Sequence, residues 1–297
     1  MHRIELSAVE KRFRDRTAVR KTDLCLESGV YGLLGENGAG KTTLMRMICG
    51  VLKPTGGRIR CDGIEIGQLG RAYRRLLGYL PQDFGYYGEF STRRFLRYMA
   101  ALKAMPQDRA ERRIDEMLDL VDLAPFQKQK LKTFSGGMLR RIGIAQALLN
   151  DPEILILDEP TAGLDPRERV RFRNIISSLG KERTVVLSTH IVSDVDYIAD
   201  QIMIMKHGEI AAEGTAQELT RAAGKIAWKC VAGEEEAERL GGRFTVSNIR
   251  HLENGVELRI VSDRRPAPDA EALEPTLEDI YLYLTGEKGR GAGDETV

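Results

Sequence analysis

The fold is decided by the stretch Gly35-Glu-Asn-Gly-Ala-Gly-Lys-Thr42. It fits G-x-x-x-x-G-K-[ST] at every fixed position, between the apolar run Val30–Leu34 and a predicted helix, Thr42–Cys49. In this strand, loop and helix order, the glycines let successive backbone N–H groups point at phosphate oxygens, and the helix N-terminus adds partial positive charge. The stretch therefore predicts a nucleotide phosphate site in an α/β fold.

Each part of this loop has an expected contact with a nucleotide. Lys41 reaches the β and γ phosphates, and Thr42 ligates Mg²⁺. The predicted nucleotide contacts of the loop are Gly35, Asn37, Gly38, Ala39, Gly40, Lys41, Thr42 and Thr43. A chance match is the alternative, but the strand and the helix on either side disfavour it. The loop therefore predicts a nucleotide bound with Mg²⁺, but it does not by itself choose among the kinases, GTPases, motors and transporters that share it.

Two acids follow a second apolar run. Asp158 and Glu159 come directly after Ile154–Leu157, as expected for a buried parallel strand that ends at a ligand crevice. In ATPases with such a phosphate loop, the aspartate holds Mg²⁺ and a second acid orients or activates the attacking water. We predict Asp158 as the metal residue and Glu159 as the base. The alternative, two acids on a solvent-facing strand end, is weak beside the phosphate loop.

The predicted secondary structure changes along the chain around these motifs. The segments Ile4–Val9, Asp23–Glu27 and Gly57–Gly63 read as short antiparallel strands. From residue 86 to residue 132 the apolar residues follow a helical period, which predicts a helical insertion. Strand and helix then alternate again, with strands at Thr184–Ser188 and Gln201–Met205, so a mostly parallel sheet covered by helices is implied.

One further motif makes the prediction specific. Phe134-Ser-Gly-Gly-Met138 is similar to the signature motif of ABC ATPases, and it opens an apparent helix at Leu139–Leu149. Phe and Met replace the commonest outer residues, Leu and Gln, whereas the core of Ser135, Gly136 and Gly137 is intact. On these residues the chain resembles the ATP-binding subunit of an ABC transporter, and the resemblance implies that the core contacts phosphate.

Four further positions match the pattern of this family. Gln82 resembles the glutamine that touches Mg²⁺ and water, and His190 resembles the histidine that hydrogen-bonds the γ-phosphate. Asp165, in Gly163-Leu-Asp, looks like a residue that contacts the opposite subunit. Phe13 occupies the place of an aromatic that stacks on adenine. The alternatives are a surface or core role for Gln82 and His190, and packing within the antiparallel sheet for Phe13.

The resemblance covers residues 2–222 and is closest to the ATPases of ABC-2-type exporters, because of the Ser-Gly-Gly-Met wording and the segment Leu277–Gly286. It implies a P-loop NTPase fold of class α/β, with a mostly parallel sheet, an N-terminal antiparallel β subdomain and a helical insertion. We predict an ATPase domain at 1–222, with its helical subdomain at about 84–145. A small C-terminal α+β module is expected at 223–284, followed by a disordered tail at 285–297.

The resemblance also implies partners. In the family two ATPase subunits meet head to tail, so each site takes Ser135 and Gly137 from the other subunit, in a homodimer or a paralogous heterodimer. Integral membrane permease subunits lie on a separate chain, which places this chain in the cytoplasm, on the inner face of the membrane. Tyr86, Tyr87 and Phe90 are the predicted groove for the permease, with core packing of the insertion as the alternative.

Composition excludes other classes. Lys and Arg number 45 against 44 Asp and Glu, so the formal net charge of +1 provides no basic field, and no nucleic-acid partner is expected. Apolar runs stay far below the ~20 residues of a membrane-spanning helix. The lone cysteines and the histidines outside the motifs are interpreted as structural or solvated: Cys25, Cys49, Cys61, Cys230, His2, His207 and His251.

Two rival functions remain for comparison. The first is a soluble ABC-type ATPase that acts on a nucleic-acid or ribosomal partner; such proteins usually carry two ATPase units or a long coiled coil. The second is a nucleotide-binding regulator without catalysis, which would be expected to lack Glu159 or His190. ATP hydrolysis coupled to transport, with export favoured by the resemblance, is the predicted function.

Overall fold

A computed structural model describes residues 2–253 and 255–286. The strands are β1 (Ile4–Phe13), β2 (Arg16–Leu26), β3 (Gly29–Gly35), β4 (Gly56–Cys61), β5 (Ile64–Glu65), β6 (Leu77–Leu80), β7 (Ile154–Asp158), β8 (Thr184–Thr189), β9 (Gln201–Lys206), β10 (Glu209–Gly214), β11 (Ala227–Ala232), β12 (Thr245–Leu252), β13 (Gly255–Val261) and β14 (Glu271–Leu273). The α-helices are α1 (Lys41–Ile48), α2 (Ile66–Leu69), α3 (Arg71–Leu76), α4 (Thr92–Leu102), α5 (Gln107–Leu120), α6 (Gly136–Leu148), α7 (Pro166–Gly180), α8 (Val192–Asp196), α9 (Ala216–Ala223), α10 (Glu234–Arg243) and α11 (Leu277–Thr285).

The central sheet has six strands in the order β10-β9-β3-β8-β7-β6. The neighbours from β9 to β6 are parallel, and β10 pairs antiparallel with β9 at one edge. Strands β3, β7 and β8 are buried along their whole length, as expected for parallel strands covered by helices on both faces. The mostly parallel sheet predicted from the sequence is confirmed, and its carboxyl edge carries both the phosphate loop and the acidic pair.

An antiparallel sheet in the order β2-β1-β4-β5 forms the N-terminal subdomain. Its first two strands are longer than predicted, because β1 continues to Phe13 and β2 begins at Arg16. A tight turn with Arg14 at φ 48° joins them and pairs Phe13 with Arg16. The pairing of β1 shifts register around Ala8, which itself has φ 47°, so a bulge interrupts the alternation that would have marked the strand.

The helical insertion packs α4 and α5 against α6. Apolar side chains from the three helices are fully buried there, including Phe95, Ile114 and Ile142. An isolated antiparallel bridge between Ser91 and Lys130 joins the segment before α4 to the segment between α5 and α6. Along the chain, the insertion follows the loop after β6 and continues into α6.

The C-terminal region forms a third sheet, in the order β12-β13-β11-β14, with α10 packed on one face. Its separate apolar core includes Cys230, Leu240 and Leu258. The α+β character predicted for this module is confirmed by these elements, whereas the boundary at residue 222 stays a prediction.

Helix α11 behaves differently from the rest of this module. It contacts β12 and β13 of the C-terminal sheet but also packs against α8, α9, β9 and β3, and Leu277 and Ile280 belong to the core of the central sheet. The tail predicted from residue 285 begins inside this helix, since Thr285 is its last residue; residues 287–297 lie outside the described residues. In the described ranges, no helix has the length and apolar character needed to cross a membrane.

Candidate functional site

The phosphate loop needs its glycines. Gly40, which precedes α1, has φ 112°, and a Cβ there would lie 2.4 Å from the backbone oxygen of Ala18. A Cβ on Gly35 would lie 2.6 Å from the backbone oxygen of Met205. Only glycine fits at both positions without movement of neighbouring backbone. The loop therefore turns tightly onto the N-terminus of α1, where backbone N–H groups are available to an anion.

Lys41 is buried at the centre of the site, with 5% of its surface exposed. Its Nζ donates hydrogen bonds to the backbone oxygens of Gly35 at 2.6 Å and Glu36 at 3.2 Å. The same Nζ lies 3.3 Å from Glu159 Oε1, which forms an ion pair across the cavity. A buried ammonium needs such partners, and phosphate oxygens are stronger ones than backbone carbonyls.

Asp158 lies at the carboxyl end of β7 and is completely buried. Its Oδ1 accepts hydrogen bonds from Ser188 Oγ at 2.6 Å and from Thr42 Oγ1 at 3.2 Å. Its Oδ2 is buried and has no hydrogen-bond partner among the described residues. Because a buried carboxylate oxygen without a partner is costly, this arrangement fits a cation held by Asp158 and Thr42.

Glu159 is the first residue after β7 and adopts φ 48°, in the left-handed region. Its backbone N–H donates to Ser188 Oγ at 2.9 Å, which helps to hold this turn. Its carboxylate lies between two side chains, with Oε1 facing Lys41 and Oε2 3.0 Å from His190 Nδ1. Non-glycine residues held in this conformation are typical of functional sites and cost roughly 1–3 kcal/mol.

A cavity of about 490 Å³ is lined by Lys41, Thr42 and Glu159, whereas its described lining includes neither Asp158 nor His190. The predicted site residues that line it are Phe13, Asn37, Gly38, Gly40, Lys41, Thr42, Thr43, Gln82 and Glu159. Gly35 and Ala39 are buried behind the loop, and His190 reaches the cavity through Glu159. Phe13 is 47% exposed on the cavity wall, with Lys11 Nζ 5.1 Å from its ring centroid, so it is not packed inside the antiparallel sheet.

Sequence reasoning missed three lining residues, Arg16, Ala18 and Glu36. Arg16 Nη2 donates to the backbone oxygen of Gly38 at 3.1 Å, which ties β2 to the phosphate loop. No motif marks Arg16, because its position depends on the tight turn that follows Phe13. Glu36 falls within the loop motif, but at a position where the pattern allows any residue.

Ser135 and Asp165 each cap a helix. Ser135 Oγ accepts from Met138 N at 3.2 Å at the start of α6, and Asp165 Oδ1 accepts from Glu168 N at 2.8 Å at the start of α7. Both residues are exposed. The described lining of the cavity does not include Ser135, Gly136 or Gly137. The signature core thus lies outside the described lining of this chain's cavity, with Ser135 and Gly136 exposed and Gly137 buried.

Arg140, which the sequence analysis also missed, connects α6 to the loop after β6. Arg140 Nη1 donates to the backbone oxygens of Gln82 at 2.9 Å and Pro81 at 3.4 Å. Burial lowers the pKa of Arg140, although Asp158 and Asp83 favour its charged form. Arg140 thus ties α6, the helix that the signature motif opens, to the backbone of Gln82, the predicted Mg²⁺ contact.

The predicted groove is only partly exposed. A shallow depression of about 340 Å³ lies between the loop after β6 and α6, and Tyr86 is among its lining residues. Tyr86 and Tyr87 are 40% and 53% exposed. Phe90 instead packs within the insertion, with its ring centroid 5.0 Å from that of Tyr87 and 6.0 Å from that of Tyr98. Tyr86 and Tyr87 are therefore exposed enough for the predicted groove, whereas Phe90 fits the alternative of packing within the insertion.

Comparison with known proteins decides the family. The sequence model of the family described as ABC transporter matches residues 19–162. The daunorubicin resistance ATP-binding protein DrrA3 of Streptomyces coeruleorubidus is 35% identical over an alignment 308 positions long, and the alignment covers 97% of each chain. The chain belongs to the ABC transporter family. As an ATP-binding subunit of this family it is an ATPase, as the phosphate loop and the acidic pair predict.

Two further comparisons extend this result. The Nod factor export ATP-binding protein I of Rhizobium sp. (strain N33) is 32% identical, with 96% of this chain and 97% of that protein covered. A solved dimeric structure of the ATP-binding cassette MJ0796, in a post-hydrolysis state with ADP and Pi, superposes with a TM-score of 0.65 at 26% identity, covering 71% of this chain and 98% of that one. These comparisons do not favour the nucleic-acid or ribosomal alternative.

Proposed function

We propose that this ABC ATPase powers export through permease subunits on a separate chain, with Glu159 as the base for hydrolysis. The observation that carries the proposal is the position of the Glu159 carboxylate, between Lys41 Nζ and His190 Nδ1 on the cavity wall. The relatives named for drug resistance and for Nod factor export support the direction of transport.

ATP binding exchanges internal partners for phosphate. Lys41 gives up its contacts with backbone oxygens and Glu159 in favour of the β and γ phosphates, and the N-terminus of α1 supplies further donors. Phe13, exposed at the mouth of the cavity, offers its face to adenine. The nucleotide is thereby fixed at both ends before any chemistry occurs.

The residues around Asp158 fit Mg²⁺, since hard oxygen donors are what this cation prefers. We assign Asp158 and Thr42 as its protein contacts, with Gln82 at the cavity wall. When bound, Mg²⁺ neutralises charge on the β and γ phosphates. Ser188 keeps Asp158 oriented by its 2.6 Å hydrogen bond.

Glu159 positions the attacking water and accepts its proton. His190 holds the second carboxylate oxygen of Glu159, and the Ser188 hydroxyl fixes its backbone, so the base is oriented from two sides. His190, about half exposed, remains available to the γ-phosphate. The oxygen of this water bonds to the γ-phosphorus, and the bond from that phosphorus to the oxygen bridging the β and γ phosphates breaks, which leaves ADP and inorganic phosphate.

A second subunit completes each site. Ser135 is exposed and Gly137 is buried, and neither lines the described cavity of its own chain, so we assign them to the γ-phosphate of a partner, with Asp165 near the same interface. The partner is a second copy of this chain or a paralogue. ATP then joins the two subunits, and its hydrolysis releases them.

The permease contact is assigned to Tyr86 and Tyr87. Exposed aromatics beside a depression are typical of docking surfaces for a partner helix. This contact places the chain on the cytoplasmic face of the membrane. The module at 223–284 contributes no lining residue to the described cavity, and we assign it a regulatory or partner-contacting role.

The test is the variant Glu159→Gln, which keeps size and hydrogen bonding but removes the negative charge. We expect phosphate release to fall by roughly 10²–10⁴-fold, while ATP still binds in calorimetry, because Lys41 and Thr42 are unchanged. The control is Glu182→Gln, an exposed glutamate between α7 and β8. Hydrolysis by Glu159→Gln at the rate of the control would exclude Glu159 as the base.

A further inference from the structure

We propose that His2, Cys61 and Asp62 bind a thiophilic divalent cation of the zinc class. One donor atom from each residue lies within 4.8 Å of the others. The site is formed where β1 begins and β4 ends. His2 lies beside Glu153, which precedes β7, whereas Asp158 is at the other end of that strand. Neither the ABC family motifs nor the nucleotide cavity includes these residues.

The strand pairing brings the three residues together. Cys61 is paired with Ile4 in the β1–β4 ladder, and Asp62 N donates to Arg3 O at 2.9 Å beyond it. His2 therefore lies beside the turn that follows Cys61. That turn is tight, with φ 51° at Asp62 and 79° at Gly63, so the donors are carried by a short hairpin rather than by a long loop.

The donor atoms of His2 and Cys61 both lie near Asp62 Oδ2. Asp62 Oδ1 accepts from Arg3 N at 2.9 Å, which leaves Oδ2 directed at His2 and Cys61. Asp62 Oδ2 lies 2.5 Å from His2 Nδ1 and 3.9 Å from Cys61 Sγ. A cation between them would replace the contact between His2 Nδ1 and Asp62 Oδ2, with small side-chain rotations opening the space.

Glu153 supports this arrangement from the other side of the imidazole. Its Oε2 lies 3.3 Å from His2 Nε2. An imidazole that binds a metal typically donates its other ring N–H to a carboxylate, which fixes the tautomer and orients the ring. Glu153 therefore directs His2 Nδ1 toward the cation. Two carboxylates also face one imidazole, so a divalent cation balances the local charge.

The donor set selects the kind of cation. Sulfur, imidazole nitrogen and carboxylate oxygen together suit Zn²⁺ or Cd²⁺, whereas Mg²⁺ and Ca²⁺ take oxygen donors. His2 and Asp62 have side chains 24% and 48% exposed, so the cation can enter from solvent. Three protein donors leave one position for water.

The position of the site implies a structural role. Glu153 directly precedes β7, the strand that ends at Asp158, whereas Cys61 belongs to the N-terminal antiparallel sheet. A bound cation would tie this sheet to the amino end of β7. We therefore expect it to raise the stability of the junction without entering the hydrolysis reaction.

Cadmium spectroscopy tests the proposal on the full chain, reduced, free of nucleotide and with any affinity tag removed. A Cd²⁺ thiolate gives an ultraviolet charge-transfer band, and competition with Zn²⁺ reports zinc affinity. We expect one equivalent of Cd²⁺ to produce the band in wild type and in Cys25→Ser, an exposed cysteine of the same sheet, but not in Cys61→Ser. Glu153→Gln should weaken Zn²⁺ binding by about 10–100-fold.

His2→Ala serves where Cys61→Ser fails to fold, because His2 lies at the edge of its sheet. Circular dichroism identifies which variants are folded. Zn²⁺ binding by folded His2→Ala with the wild-type affinity would overturn the proposal. A band that survives in Cys61→Ser, or one that disappears in Cys25→Ser, would also overturn it, as would an absence of the band in wild type.

Discussion

Lys41 Nζ lies 3.3 Å from Glu159 Oε1, and the two side chains are only 6% and 5% exposed. The phosphate loop and the end of β7 are thus joined by a buried ion pair. Each partner compensates the other in a site that excludes most water. Incoming phosphate must compete with Glu159 for Lys41, and Glu159 then faces the γ-phosphate with one partner fewer.

Replacement of Lys41 by Ala should abolish measurable ATP binding. The change removes the side-chain cation of the phosphate loop and leaves the phosphate charge uncompensated. Calorimetry with ATP and Mg²⁺ measures the effect, and Lys181→Ala, exposed beyond the end of α7, is the control. Tight ATP binding by Lys41→Ala would contradict the assignment of this loop.

The same ion pair predicts a stability effect without nucleotide. Lys41→Ala should lower the free energy of unfolding by roughly 3–5 kcal/mol, because Glu159 stays buried without its cation. Adding Glu159→Gln should restore part of the loss, so the double variant should be more stable than the sum of the single changes predicts. Urea unfolding measures all three variants. Strict additivity would show that the pair is not coupled.

The sequence identifies the candidate chemical groups of the site more readily than the residues that hold them in place. The phosphate loop, Asp158, Glu159 and His190 are recognisable because their positions relative to predicted strands are local features of the chain. Arg16 and Arg140 are not, since each reaches the site through contacts between distant segments. The left-handed backbone of Glu159 has no local signal either, because its support comes from Ser188 on the neighbouring strand.

The C-terminal boundary shows the same limit. Composition after residue 224 predicts a different module, but the apolar face of α11 does not say which core it joins. Leu277 and Ile280 pack with residues such as Val195 and Leu219 rather than with the core of the C-terminal sheet. Only the folded chain brings α11 beside α8, which begins two residues after His190.

Asp279→Asn should detach the C-terminal sheet from α11. Burial disfavours the charged form of Asp279, but hydrogen bonds from Arg259, Thr276 and Ser247 outweigh it and lower its pKa. The buried carboxylate accepts from Arg259 Nη2 at 2.7 Å. Since Arg259 is partly exposed, we expect a loss of about 3 kcal/mol at neutral pH.

The lowered pKa of Asp279 predicts how its contribution to stability changes with pH. A lowered pKa stabilises the folded state fully above the unfolded value of about 3.9, and this stabilisation is lost as the pH falls through the folded pKa. The difference in unfolding free energy between wild type and Asp279→Asn should be constant from neutral pH to about pH 5 and shrink below about pH 4. Glu271→Gln, in an exposed pair with Lys229, should show a much smaller difference. A difference independent of pH would argue against this ion pair.

Removal of Tyr86 and Tyr87 should release the permease. The double change to Ser removes the exposed aromatic surface and leaves the nucleotide cavity intact. Affinity purification from membranes, with identification of the integral protein that follows wild type, measures the contact. Tyr197→Ser is the control, since Tyr197 is 76% exposed after α8. A double variant that retains the integral partner and binds ATP would place the docking surface elsewhere.

The last prediction separates a composite site from a self-contained one. If Glu159→Gln binds ATP without cleaving it, the closed pair of subunits should accumulate, and this variant with ATP and Mg²⁺ should elute as a dimer while wild type elutes mainly as a monomer. A further Ser135→Arg change puts bulk and charge at a residue that is exposed and outside the described cavity lining, so the double variant should return to monomer.

Ser135→Arg also removes a helix cap, and that loss needs its own control. Ser91 caps α4 in the same way, since its Oγ accepts from Arg94 N at 3.3 Å, as Ser135 Oγ accepts from Met138 N at 3.2 Å. Ser91→Arg in the Glu159→Gln background therefore loses an equivalent cap, worth about 1 kcal/mol, and should remain dimeric. If both arginine variants become monomeric, the effect is general destabilisation. If Ser135→Arg stays dimeric with ATP bound, Ser135 does not contact the partner's nucleotide, and the signature core acts outside the interface.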